Sequence, residues 1–279
     1  MIGFVTDSAS QIPPALAREL DVSIVPITIS IDGVARQEGV DLDADDFWRH
    51  LDGSTLPEIT TSQPSPGEIA TVYRSLAAAG IDEIVSVHVG ADVSGTVNAA
   101  RLASSDVDIP VHVVDSGTAS FGVTACLWEA VLAARQGADG AAAASTAAAI
   151  TPSIGTSFIL QGLDFARAGG RFDLALPDDA DEVIVLAGYG TAIDIVGAGR
   201  DLESLCDQIV APFLADDRPI RAGVGLADDA TLPITERIEE RLRASDLVVD
   251  LVRYRVGPSI AAHTGPGTAG GFWWPAGDG

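Results

Sequence analysis

The chain has 279 residues, 47% of them hydrophobic, enough for one large or two medium domains with a substantial core. Its 40 acidic residues face 16 basic ones, all of them arginine, for a formal net charge of -24. Binding to nucleic acid or lasting attachment to an anionic membrane needs clustered cations, so the composition argues against both, and at most a transient membrane contact is expected. Cys126 and Cys206 lie far apart, with no CxxC or Cys/His pattern, so neither a disulfide framework nor a zinc site is expected. The segment from Met1 to Asp7 has no basic leader region, and no stretch approaches the roughly 18 apolar residues of a membrane span. A cytoplasmic protein is the expectation.

In chain order, the apolar run Ile2–Val5 reads as a buried strand ending in the polar loop Thr6-Asp7-Ser8. Pro13 and Pro14 open a short helix through Leu20, and Val22–Ile31 is strand-like, closing at an Asp32-Gly33 turn. Asp43–Leu51 is helical in pattern. Thr60–Gly67 reads as a Ser/Thr/Pro loop before a helix from about Pro66 to Ala79. Glu83–Val89 is the next strand. Ser94-Gly95-Thr96 follows it and starts a helix to about Ala103, and Val111–Val114 is a strand ending at Asp115-Ser116. Two Ala-rich helices broken near Gly137 fill Ser120–Ile150. This repeated strand–loop–helix order predicts a parallel sheet covered by helices.

Beyond residue 150 the texture changes. Ile154–Leu160, Val183–Gly188, Ile220–Leu226 and Leu247–Val256 are strand-like, while Leu202–Leu214 and Leu232–Leu242 are helix-like. A Gly/Pro-rich segment, Gly257–Gly271, follows, and His263 is expected in one of its loops. A domain boundary near residue 150 is expected, without repeats or a disordered linker.

The loops Thr6-Asp7-Ser8, Ser94-Gly95-Thr96 and Asp115-Ser116-Gly117 follow strands, and loops after parallel strands gather at one sheet edge. The Ser/Thr/Pro loop joins them. Such hydroxyls at a helix start suit an anion, but each alone serves equally as a helix cap or turn residue.

In this order and spacing, Phe4-Val5-Thr6-Asp7-Ser8, Thr61-Ser62-Gln63-Pro64-Ser65-Pro66-Gly67, Ser94-Gly95-Thr96-Val97-Asn98-Ala99-Ala100, Val114-Asp115-Ser116, Gly169-Gly170-Arg171 and His263-Thr264-Gly265-Pro266-Gly267 resemble the DegV family over essentially the whole chain. The resemblance implies a two-domain α/β fold. Residues 1–150 would form a parallel sheet flanked by helices, and residues 151–279 an α/β domain with a mixed sheet whose C-terminal segment returns to the ligand site. It implies a non-enzymatic, monomeric carrier of one long-chain fatty acid in a buried apolar pocket, with no metal and no cofactor beyond that ligand. Some relatives present the acid to a separate bacterial fatty acid kinase, which phosphorylates the carboxylate. By the same resemblance Thr61, Ser62, Ser94, Gly95, His263 and Thr264 surround the carboxylate, while Arg171 and Arg200 face the kinase. The chain departs from the family pattern at Val93 and Val97, where Leu and Tyr are usual, and at Phe172-Asp173. It also departs over Asp178–Gly199, where lysines are expected.

The physics suits an acyl ligand. Burying a chain of about 16 carbons at about 0.8 kcal/mol per methylene gives on the order of 10 kcal/mol before ordering costs. The carboxylate is the expensive end, and hydrogen bonds to it offset its desolvation. Three other readings remain: a hydrolase using Ser94, His263 and Asp7 or Asp115, although no G-x-S-x-G elbow is present; a phosphate-binding enzyme, although no P-loop is present; and a carrier of another apolar carboxylic acid.

Overall fold

Ile2–Val5 has no polar side chain to present to water, so it forms a strand buried on both faces, the usual state of a parallel sheet covered by helices. The structure, a computed structural model, describes residues 1–51, 57–161, 163–171, 175, 183–190 and 192–277. In chain order the first elements are β1 (Ile2–Asp7), α1 (Pro14–Glu19), β2 (Val22–Val25), β3 (Thr28–Ile31), β4 (Val34–Gln37), α2 (Ala44–Leu51), β5 (Ile59–Ser62), α3 (Pro66–Ala78), β6 (Glu83–His88), α4 (Thr96–Ala103), β7 (Val111–Asp115), α5 (Phe121–Arg135) and α6 (Gly140–Ile150). Then come β8 (Gly155–Leu160), α7 (Leu163–Gly169), β9 (Ile184–Tyr189), β10 (Ala192–Ala198), α8 (Leu202–Val210), β11 (Ile220–Leu226), α9 (Leu232–Arg243), β12 (Val248–Arg255), α10 (Pro258–Thr264) and β13 (Ala269–Pro275).

The chain divides into two units. The first comprises Met1–Leu42 and Glu58–Thr151; the second comprises Asp43–Pro57 and Pro152–Gly279. Helix α2 thus belongs with the second unit although it interrupts the first, an excursion that a single boundary near residue 150 does not contain. Inside the second unit, Asp45 of α2 forms an ion pair with Arg255 of β12.

In the first unit the order β2-β1-β6-β7 makes a wholly parallel sheet. Val5, Val25 and Ile84 point to one face and pack with Ile69, Ala70 and Tyr73 of α3 and Ala99, Ala100 and Ala103 of α4. Each fully buried Val or Ile there contributes about 1.5–3 kcal/mol. Helix α5 packs on β1 and β6, and its residues from Phe121 to Val131 are all buried, which explains an apolar sequence with no polar face. Helix α3 begins with a capping box in which Ser65 and Glu68 satisfy each other's backbone N–H groups. Strands β4-β3-β5 form a separate antiparallel sheet.

The second unit holds a mixed six-stranded sheet, β10-β9-β8-β13-β11-β12, in which the β11–β12 pair is parallel. Alternation along the strands sends Ile159 and Val185 to the face covered by α8 and α9, and Leu160, Ile184 and Leu186 to the face that packs α7. This architecture is the expected α/β one, a helix-flanked parallel sheet followed by a mixed sheet. Local differences are clear. Thr61 and Ser62 lie on strand β5, not in a loop, because they pair with Ile29 and Thr28 of β3. The Gly/Pro-rich segment is not irregular: Gly257 and Pro258 open α10, and Gly270-Gly271 sit within β13.

Candidate functional site

The first-unit residues assemble at the C-terminal edge of the parallel sheet. After β6, Gly90 donates its N–H to the Thr118 carbonyl at 2.8 Å, and the Ser94 N–H returns to the Gly90 carbonyl at 3.1 Å. A Cβ on Gly90 would stand 3.0 Å from the Thr118 nitrogen, tighter than side chains normally sit, so this backbone approach favours glycine. Asp115 Oδ1 accepts from the backbone N–H groups of Ala91 and Gly117, tying the loops after β6 and β7 together. Ser94 Oγ lies 2.9 Å from Thr96 Oγ1 and accepts the Thr96 N–H at the start of α4. A Cβ on Gly95 would stand 2.0 Å from Oε1 of Gln63, so the Gln63 carboxamide occupies the space above Gly95. The strand end carrying Thr61-Ser62-Gln63 and the α4 N-terminus carrying Ser94-Gly95 are therefore neighbours. Thr61 is half-buried and Ser62 exposed, and strand alternation points them to opposite faces of β5.

Beneath this edge lies a wholly buried polar chain. Asp7 Oδ2 is 2.9 Å from His88 Nδ1, His88 Nε2 is 2.7 Å from Ser86 Oγ, and Tyr73 donates its hydroxyl to Ser86 Oγ at 2.7 Å. Asp7 also accepts the N–H groups of Val89 and Ala9. Burial pushes the Tyr73 hydroxyl up to about 12, against the opposing hydrogen bond with Ser86. Ser8 is committed nearby: it donates to Glu38 at 2.5 Å and accepts the Ile27 N–H. The Thr6-Asp7-Ser8 loop thus spends its aspartate and serine within the unit, as turn and cap residues do.

In the second unit, the Gly-Gly-Arg turn and the His263 helix come together. A Cβ on Gly169 would stand 2.8 Å from His263 Nδ1 and 3.0 Å from its Cα. Arg171, exposed, donates to the Gly169 carbonyl at 2.9 Å. Burial, with the Arg171 charge beside it, lowers His263 from 6.5 to about 4, against a hydrogen bond with Gly169. The ring is uncharged near neutral pH, so it can offer a hydrogen bond but no charge. His263 is not in a loop; it occupies the last turn of α10, before Gly265 at φ +71°. Thr264 is buried, its hydroxyl directed to the Ile260 carbonyl at 3.4 Å. Gly267 donates its N–H to Asp228 at 2.8 Å. Arg200 is exposed between β10 and α8. Phe172, Asp173 and Asp178–Glu182 lie outside the described residues. A cleft lined by Tyr189, Phe213, Arg218, Trp273 and Pro275 contains none of the expected site residues.

Residues 1–276 match a family model described as "Uncharacterised protein, DegV family". The chain belongs to the DegV family. A DegV domain-containing protein of Streptomyces coelicolor is 30% identical over 278 residues, covering 96% of each chain. Among solved structures, a DegV family protein from Thermus thermophilus, described for its fatty acid binding, superposes with a TM-score of 0.86. It is 29% identical over 99% of each chain. The Bacillus subtilis DegV, described as a fatty acid binding protein, gives a TM-score of 0.86 at 23% identity, again over 99% of each chain, a likeness of fold.

Within this DegV chain, the two aspartates considered for a hydrolase triad are otherwise engaged: Asp7 with His88, and Asp115 with two loop N–H groups. Among the described residues no group of three or more His, Cys, Asp or Glu is arranged to hold a metal, and no helix is long and apolar enough to cross a membrane. The sequence reading missed the Asp7–His88–Ser86–Tyr73 chain and Gln63. The signal for the former was present: Ser86 and His88 occupy alternate positions of a strand that is otherwise apolar after Glu83, and so share one face.

Proposed function

We propose that this DegV protein binds a single long-chain fatty acid in an apolar pocket. Thr61, Ser62, Ser94, Gly95, His263 and Thr264 would hold the carboxylate. The ligand class rests on the 29% identical Thermus thermophilus protein described for fatty acid binding. The head-group assignment is supported by hydroxyls and a glycine at a helix start, where N–H groups and the helix dipole favour an anion. In the second unit it is supported by an uncharged His263 with a guanidinium beside it. In this reading the acyl tail supplies affinity and the hydrogen bonds supply orientation.

The protein performs no chemistry on the acid. It presents the carboxylate to a separate kinase for acyl-phosphate formation, and Arg171 and Arg200 face that partner; both are exposed. Denaturing the purified protein and analysing the extract by mass spectrometry tests the ligand class. A stoichiometric fatty acid supports the reading, and an extract still empty after the protein is offered mixed fatty acids overturns it. Arg171 lies next to His263, so Arg171→Ala separates two roles. Slower phosphorylation with unchanged lipid affinity assigns Arg171 to the kinase-facing surface, and collapsed lipid affinity assigns it to the pocket.

A further inference from the structure

The Asp7–His88–Ser86–Tyr73 chain joins two places that matter to the head group. Asp7 holds the root of the loop that carries Ser94 and Gly95, through the Val89 N–H and the His88 ring. Tyr73 lies on α3, the helix that starts directly after the Thr61–Ser65 segment. At the top, Gln63 and Gly95 touch. Below, beside the apolar packing of α3 on β1 and β6, an unbroken run of side-chain hydrogen bonds leads from α3 through β6 to β1. We propose that these four residues are positioning residues, which fix the spacing between the Thr61-Ser62-Gln63 strand end and the Ser94-Gly95 helix start.

The hydrogen count supports one arrangement. Tyr73 gives its proton to Ser86, so the single Ser86 proton is left for His88 Nε2, and His88 Nδ1–H is left for Asp7. Every member is then satisfied, which makes the chain rigid and gives its geometry one solution. Two other roles fit poorly. All four side chains are fully buried, out of contact with solvent. Stability alone does not call for them: Ile84, on the same face of β6 and packed with Tyr73, is apolar, and apolar replacements of a buried polar cluster are often neutral or stabilising. The cluster sits at the loop-bearing end of β1 and β6, where loop spacing is decided.

This inference rests on the fatty acid reading, and the test separates the two. Dissociation constants are measured for a long-chain fatty acid and for the alcohol of equal chain length, with the wild type, Tyr73→Phe and Ser86→Ala. A carboxylate uses several charge-assisted hydrogen bonds whose geometry depends on the spacing, and an alcohol uses fewer. The expected result is a loss of about three- to tenfold for the acid and less than about twofold for the alcohol, in line with one hydrogen bond's worth of order. Equal losses for acid and alcohol, or unchanged acid affinity, overturn the positioning role. A wild type that binds no fatty acid overturns the fatty acid reading and this inference together. Tyr73→Phe keeps the buried ring, so it carries the test if Ser86→Ala fails to fold.

Discussion

The two units bury ionisable groups in opposite ways. In the first, Asp7 and His88 are both sealed in the interior, and their partners are short side chains and backbone N–H groups. In the second, Glu239 is buried, but Arg243 and Arg253 reach it from the surface with their outer parts in water. Burial pushes Glu239 up, yet the bonds from Arg253 and Arg243 outweigh this and hold its carboxyl below the usual range. The second arrangement can rearrange, because an arginine that loses its acid can turn to solvent. The first cannot, because nothing inside replaces a lost partner.

That contrast is open to breaking. Asp7→Ala leaves His88, Val89 N–H and Ala9 N–H without an acceptor, and urea denaturation is expected to show a loss of about 3–5 kcal/mol. Glu239→Ala frees two arginines that reach solvent, and a loss of about 1–2 kcal/mol is expected. Equal losses would dissolve the distinction. Gly90→Ala presses a methyl group on the Thr118 backbone and should cost about 1–3 kcal/mol, read as a lower urea midpoint.

Acid sharpens the comparison inside the second unit. His263 titrates at about 4 folded against 6.5 ordinarily, so between these values the unfolded chain holds the extra proton. Its contribution is complete above pH 6.5 and is lost as the pH falls toward 4, by up to about 1.4 kcal/mol per pH unit. Glu239, held low, loses its contribution only as the pH falls below about 4.5. A His263→Gln variant should therefore show a flatter urea midpoint between pH 6.5 and 5 than the wild type. The smallest stability effect is expected from Gly95→Ala. The methyl group meets the movable end of Gln63, so stability should stay within about 0.5 kcal/mol. Fatty acid affinity, measured by titration, should fall as Gln63 is displaced.

The first unit was the more legible of the two. Ser94-Gly95-Thr96 lies between a strand and a helix, a local order that the pattern reveals, and the Ala-rich pair around Gly137 is equally plain. Thr61 and Ser62 read as loop because their strand depends on pairing with β3, some thirty residues away. Strand β13 was hidden by its glycines, which weaken strand propensity. They are needed because a Cβ on Gly271 would stand 1.9 Å from the Gly223 carbonyl. Helix α10 is seven residues long and flanked by Gly and Pro, too short for its periodicity to outweigh its breakers. His88 escaped notice because its partner lies 81 residues away.

The α2 excursion sets a timetable for synthesis. Asp45 finds its ion-pair partner, Arg255, 210 residues later in the chain. At about 5–20 residues per second, the ribosome needs roughly 10–40 s to deliver it. For that interval Phe47 and Trp48, buried in the finished fold, belong to a unit that has barely begun to emerge. The first unit can therefore be complete in sequence while the helix inserted within it still waits for the rest of its own unit.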